Sequence, residues 1–468
     1  MTKENSPFDH HPYMPTAVPE IRDEMLRELG LEKLEDLLLP IPKHLRCKDK
    51  LELPEPLLAE ADLKNYVQSL LNKNSSCEEY LSFLGAGCYR HYVPAVCDEI
   101  NSRAEFLTAY VGDVYSDHGK FQAFFEYCSM MAELLEMDVV SYPTFDGGQA
   151  ACSALRMALK VTGRHKLLLP STMNPEILSQ LKDYNSHLAE LVMINFKPQS
   201  GQLDLADLEE KLDNQVAAVF FENPSYLGIL EEQGGEISRL ARSKGALTVV
   251  SAEPLSLGIL EPPANYGADL VCGDIQSLGI HMHYGGGCAG YIASRDDEVL
   301  IKAYPTYLFG ITGTKSGRGY GWGRALNWRT SHGSREQANE YMGTAAALWA
   351  ITAAVYLALL GPQSMRDIGE TITSRTAYAR KLFSTVKGIE PLFPAGTCFR
   401  EIPLSFENFR IPVALINKCL LDYKIFGGHD LSADFPHLGQ SALYAFTELT
   451  GASDIRILIE TLREIAGD

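Results

Sequence analysis

Between about residues 139 and 293, short apolar or β-rich runs alternate with helical stretches, and few architectures accept that order. The runs are Lys166–Leu169, Leu191–Phe196, Ala217–Phe221, Ala246–Ser251, Leu270–Gly273 and Gly290–Ala293. Helical spacing occupies Pro175–Asp183, Leu205–Leu212 and Glu236–Lys244. Near-continuous apolar strands separated by helices belong to a mostly parallel sheet covered on both faces. The spacing therefore predicts an α/β fold.

The flanks read differently. Residues 1–75 carry helical turns broken by Pro40, Pro42, Pro54 and Pro56, an extension laid over another surface. A large α/β domain is expected over 76–330 and a smaller α+β domain over 331–468, closing with a helix at Ser453–Ile465. Thr344–Leu360 has no charged residue, as a membrane span would not. It is rich in alanine and threonine, however, and it meets the helix stop Gly361-Pro362, so a buried core helix is the stronger reading.

Charge narrows the partners. Lys+Arg total 41 against 60 Asp+Glu, a formal net charge of −19. Such a field repels phosphate backbones and anionic lipid heads, so neither nucleic acid nor membrane surface is an expected partner. Ten cysteines occur, with no Cys-x-x-Cys pair, which suits reduced, mostly structural thiols of a cytoplasmic protein. The polar Met1–Pro15 segment lacks the apolar run of a signal peptide.

Two motifs imitate sites. Gly310-Ile-Thr-Gly-Thr-Lys315-Ser316-Gly317 fails the phosphate-loop pattern, since Thr314 precedes the lysine, and reads as a flexible loop. His281-Met-His283 can put two imidazoles on one side of a strand, but with no third ligand in view no metal is expected. The histidines suit a pocket or an interface better.

A more productive comparison is with enzymes of the aspartate-aminotransferase fold, which carry pyridoxal phosphate (PLP). Their site needs a glycine-bearing helix N-terminus for the phosphate, a strand-end carboxylate for the pyridine nitrogen, and a Schiff-base lysine. Asp146-Gly147-Gly148 before an alanine-rich helix offers the first, although an ordinary helix start is an equal reading. Glu253 after the run Leu247–Val250 offers the second, although a capping residue looks the same. The third is missing, because no lysine occurs between Lys244 and Lys302.

With that gap in place, several blocks in order resemble subunit 1 of the two-subunit glycine dehydrogenase (decarboxylating), the P-protein of the glycine cleavage system. They are His11-Pro-Tyr-Met-Pro15, Phe83-Leu-Gly-Ala-Gly-Cys-Tyr-Arg-His-Tyr-Val-Pro94, Ser102–Phe106, Phe125–Tyr127, Asp146–Gly148 and Ala252–Gly258. Tyr266–Asp269, Gln276-Ser-Leu-Gly279, Gly427–Leu431 and Phe435–Gly439 follow. The resemblance implies the PLP-dependent transferase fold (type I) and a divided active site. It places Gln276 where the lysine would stand, so this chain would hold no catalytic residue. Asp146, Gly147, Gly148, Glu253, Gln276 and His283 would line a degenerate pocket. The lysine and PLP would belong to subunit 2, in an α₂β₂ assembly. The joint reaction would decarboxylate glycine and pass its aminomethyl group to the lipoyl arm of the H-protein. Tyr89, His91 and Tyr92 are interface candidates, because amphipathic aromatics suit contact surfaces, and buried structural roles are an equal reading.

The chain departs from the family's pattern at Val111–Gly119, where the family usually has a Pro-Tyr-Gln-Pro-like loop. It departs again at Arg335–Tyr341, and at Glu253, where the family usually has Asp. These changes leave two alternatives open: a non-catalytic scaffold for a partner, or a diverged subunit acting on another amino acid.

Overall fold

The computed structural model describes residues 18–46, 52–107, 119–286, 288–338, 340 and 346–467. The chain divides into two compact units, residues 1–74 and 75–468. In the first, helices span Pro19–Glu28, Leu34–Leu37 and Glu60–Leu71. Among its described residues only Leu26 is buried, whereas Leu29, Leu58 and Leu71 are exposed. Among the described residues these helices enclose no core of their own.

The second unit is built on a seven-stranded sheet. Its strands are β1 (Val139–Val140), β2 (Lys166–Pro170), β3 (Glu190–Ile194), β4 (Val216–Asn223), β5 (Leu247–Ala252), β6 (Leu270–Asp274) and β7 (Gly290–Ser294). Their order is β1-β7-β6-β5-β4-β2-β3. The pairings from β6 through β3 are parallel, while β7 runs antiparallel to β6 and to β1. Alternate side chains divide between two cores. Leu168, Val219, Phe221, Val250 and Val271 pack beneath α1 (Phe121–Leu135). Leu167, Leu169, Phe220, Val249 and Cys272 pack beneath α2 (Gly147–Thr162) and α3 (Pro175–Asn185). Burial on both faces is why these strands read as unbroken apolar runs.

A hairpin follows, β8 (Leu308–Gly313) paired antiparallel with β9 (Tyr320–Ala325). Most of the Gly310–Gly317 segment expected to be a loop is thus strand and turn, and it is exposed. Its glycines leave no apolar alternation by which a strand would be recognised.

The apolar helix α4 (Ala347–Phe383) buries Ala350, Ile351, Ala353, Tyr356 and Leu357 in the core beneath the sheet. It bends at Gly361, whose φ is 64°, so the glycine–proline pair interrupts the helix where the sequence marks a stop. Beyond it lies a four-stranded antiparallel sheet of β10 (Glu390–Pro391), β11 (Glu401–Ser405), β12 (His429–Asp430) and β13 (Ser441–Ala445), in the order β10-β11-β13-β12. The second half of α4 and the closing helix α5 (Ala452–Ala466) cover it through Phe383, Ile455, Leu458 and Leu462. Leu81–Ser82 pairs in parallel with Ile425–Phe426, bringing the Phe83–Pro94 block close to this sheet.

Candidate functional site

A cleft of about 330 Å³ opens at the carboxyl ends of β4, β5 and β6, where ligands bind open α/β sheets. The N-terminus of α2 forms one wall. Asp146 caps that helix, its Oδ1 accepting from Gln149 N at 2.7 Å. The next free amide, Gly147 N–H, donates to Asp274 Oδ2 at 2.9 Å. A Cβ on Gly147 would stand 2.8 Å from the Cβ of Asp274 and 3.1 Å from its backbone nitrogen, so only glycine permits the approach. Helix N-termini attract anions. Here the chain's own Asp274 takes that amide, and burial pushes its carboxyl up to about 7.

Gln276 follows two residues later and is 2% exposed. Its Oε1 accepts from Tyr89 N at 3.0 Å, and its Nε2 donates to the carbonyls of Tyr89 (3.0 Å) and Ile280 (2.9 Å). The amide therefore pairs with both polar groups of one residue, as a neighbouring strand would. It is a latch that holds the Phe83–Pro94 block onto the end of β6, and it does not line the cleft.

Glu253, at the end of β5, does line the cleft, but its carboxylate is engaged inward. It accepts from Leu255 N (3.2 Å) and Ser256 N (2.8 Å), capping the turn Pro254–Gly258, and from the Ser277 hydroxyl. The buried Arg400 guanidinium lies 3.2 Å away as its ion-pair partner. Arg400 also sits 4.2 Å from the ring centroid of Tyr89. Glu401, the first residue of β11, accepts from Ala86 N (2.6 Å) and from the Tyr89 hydroxyl (2.8 Å), and burial raises its carboxyl to about 7.

Two of the three aromatic interface candidates thus have internal roles. Tyr89 lies between Arg400 and Glu401, and His91 is buried with Nδ1 2.7 Å from Glu448 Oε2. Burial of Glu448 opposes its charge, but the hydrogen bond and charge of His91 hold its carboxyl down at about 2. Only Tyr92, 61% exposed, keeps its ring available to a partner. His283 also departs from expectation. It stacks on Trp349 (5.1 Å between centroids) at the surface and lies outside the cleft lining. His281 pairs with Asp98 at 3.0 Å. Of the divergent loops, residues 111–118, 339 and 341 lie outside the described residues.

Sequence reasoning missed Asp274, Glu222, Arg400 and Glu401. Asp274 carries the same signal as Glu253, a carboxylate closing an apolar strand. Arg400 immediately precedes the apolar strand β11 and Glu401 opens it, and charged residues beside such a run are candidates for burial with partners.

The lining does not fit PLP. No lysine reaches it, Asp274 fills the phosphate amide, and Arg400 neutralises the carboxylate that would face a pyridine nitrogen. Asp146, Glu176, Glu222, Glu253 and Asp274 line the cleft with no lysine, arginine or histidine among the described lining residues. A phosphate dianion would find no counter-charge among the described lining residues.

A family model described as glycine cleavage system P-protein matches residues 12–391. The chain is 36% identical over 470 residues to the probable glycine dehydrogenase (decarboxylating) subunit 1 of Staphylothermus marinus, covering 98% of this chain and 99% of that one. It is 38% identical over 456 residues to the probable subunit 1 of Thermococcus onnurineus, covering 97% and 99%. A crystal structure of glycine decarboxylase (P-protein) of the glycine cleavage system, in inhibitor-bound form, superposes with a TM-score of 0.82 at 32% identity, over 98% of this chain and 100% of that one. A sphingosine-1-phosphate lyase from Burkholderia pseudomallei shares the fold alone, at 13% identity and a TM-score of 0.64 over 91% and 94% of the two chains. The architecture is the type I fold of PLP-dependent transferases, as the strand order and the helices on both sheet faces require.

Proposed function

Because the chain belongs to the glycine cleavage system P-protein family, we propose that it serves as subunit 1 of a glycine dehydrogenase (decarboxylating) and brings no reactive group of its own. The observation that carries this reading is Gln276, a buried amide with three hydrogen bonds, at a position the family resemblance assigns to the Schiff-base lysine. An amide is not nucleophilic at neutral pH, and the surrounding carboxyls disfavour the phosphate of a cofactor.

The lysine and the PLP belong to a companion subunit 2, in an α₂β₂ assembly working in the cytoplasm. PLP supplies electron withdrawal for loss of CO₂ from glycine, and the aminomethyl group then passes to the lipoyl arm of the H-protein. This chain contributes a rigid wall to the shared site. The latch from Gln276 to Tyr89 and the Arg400–Glu253 pair hold the Phe83–Pro94 block in one conformation, and Tyr92 faces outward from it.

The test is glycine-dependent exchange of ¹⁴C-labelled bicarbonate with this chain, subunit 2, or both, in the presence of H-protein. Exchange needing both chains supports the reading; full exchange by subunit 2 alone overturns it. Borohydride reduction of this chain mixed with PLP is expected to label no lysine stoichiometrically, and stoichiometric labelling of Lys302 or Lys315 would contradict it.

A further inference from the structure

Two cysteines line the cleft that the proposed function leaves without chemistry. Cys88 comes from the Phe83–Pro94 block and Cys288 from the segment that enters β7. Their thiols lie within interaction range of each other, Cys88 Sγ donates to Met282 O at 3.5 Å, and Cys288 Sγ lies 4.0 Å from Gly286 O. Both are partly exposed, whereas Cys97, Cys128, Cys152 and Cys272 are buried. Contact with each other and access from solvent together distinguish this pair among the described cysteines.

The two sides differ in rigidity. Cys88 precedes Tyr89, whose backbone is clamped by Gln276. Cys288 follows a turn in which His283, Tyr284 and Gly285 hold φ values of 43°, 58° and 85°. Left-handed residues in succession are a costly arrangement for side chains other than glycine. Tyr284 has its ring in solvent, with no packing to compensate. The turn is therefore the side that can yield when a bond draws the two sulfurs together.

We propose that Cys88 and Cys288 form a reversible disulfide, a redox-modification site that ties the Phe83–Pro94 block to the chain just beyond the His283–Gly285 turn across the mouth of the cleft. The oxidant is a hydroperoxide. The Cys88 thiolate attacks its distal oxygen, so that an S–O bond forms, the O–O bond breaks, and the departing oxygen takes a proton and leaves as water or an alcohol. The Cys288 sulfur then attacks the sulfenic acid. The S–S bond forms, the S–O bond breaks, and hydroxide leaves with the Cys288 proton as water. Two thiols have then given two electrons to one peroxide. The neighbouring Cys288 thiol lowers the Cys88 thiol against the opposing effect of burial, which suits Cys88 as the attacking sulfur. In a reducing compartment such a bond is transient and reports oxidant. The proposal does not depend on the glycine reading, because it concerns only the thiols of this chain.

The experiment treats the full-length chain with hydrogen peroxide or diamide, counts thiols after denaturation, and maps the links by mass spectrometry. Of ten thiols, eight are expected to remain, and a reducing agent restores ten. The link joins tryptic peptides Asn74–Arg90 and Gly245–Arg295, and fragment ions must place it on Cys88 and Cys288 rather than on Cys77 or Cys272. In Cys288→Ser, Cys88 is expected to accumulate as a dimedone-reactive sulfenic acid. Retention of all ten thiols, a link through other cysteines, or over-oxidation of Cys88 without a link overturns the proposal. The wild-type map decides the matter even where the variant misfolds.

Discussion

Replacing Gln276 with leucine removes the acceptor for Tyr89 N–H and the donors to the Tyr89 and Ile280 carbonyls in one step. Each buried polar group left unpaired costs about 1–3 kcal/mol. Gln276→Leu is expected to destabilise unit 75–468 by about 2–4 kcal/mol, read as a lower urea midpoint; an unchanged midpoint would refute the latch. Gln276→Lys is expected to bring neither activity nor a lysine-bound chromophore. The ammonium can satisfy the carbonyls but offers no acceptor to Tyr89 N–H. The missing lysine was legible in the sequence as a gap between Lys244 and Lys302. The latch was not, because its partner lies 187 positions away and only the folded chain brings the two together. The choice between interface and internal roles for Tyr89 and His91 was left open in the sequence for the same reason. Amphipathic aromatics suit an interface or an internal ion-paired network equally, and the carboxylates that decide the matter, Glu401 and Glu448, come from the far end of the chain.

At the scale of elements, α2 and α4 offer the sharpest tests. Asp146→Ala removes the cap on α2 and is expected to cost about 1 kcal/mol. Gly147→Ala should cost more, because its Cβ meets Asp274 at 2.8 Å and the facing backbone cannot retreat. Calorimetric melting of the two variants checks both the direction and the order. In α4, an added methyl at Gly361 finds open space, but the φ of 64° strains any other residue. Gly361→Ala is expected to cost about 1–2 kcal/mol, and a stabilised variant would show that the helix prefers to run straight. The parallel strands were legible because burial on both faces writes itself as apolar runs. The hairpin β8–β9 was not, since its glycines and exposed faces carry no periodic pattern.

Over the whole molecule, buried carboxyls set the response to pH. Burial raises Asp274, Glu222 and Glu401 to about 7, from about 4 in an unfolded chain. Each binds its proton more tightly when folded, so its contribution is complete below about pH 4 and is lost as the pH rises through 7. Glu448, held at about 2 by His91, works the other way and loses its contribution as the pH falls below about 4. Three groups against one predict greatest stability near pH 4. The urea midpoint should fall between pH 5 and 7.5, and Glu401→Gln should flatten that slope. A midpoint that climbs over this interval would show the carboxyls to be better solvated than their burial implies. The acidic balance of the chain was plain from composition, but which carboxyls are buried was not. One consequence concerns redesign of the clamp at position 276. A single codon change to lysine would strand the Tyr89 backbone amide and still leave no counter-charge for a phosphate among the described lining residues. Several simultaneous changes would be needed before a covalent anchor could work here, so one substitution is not expected to supply it.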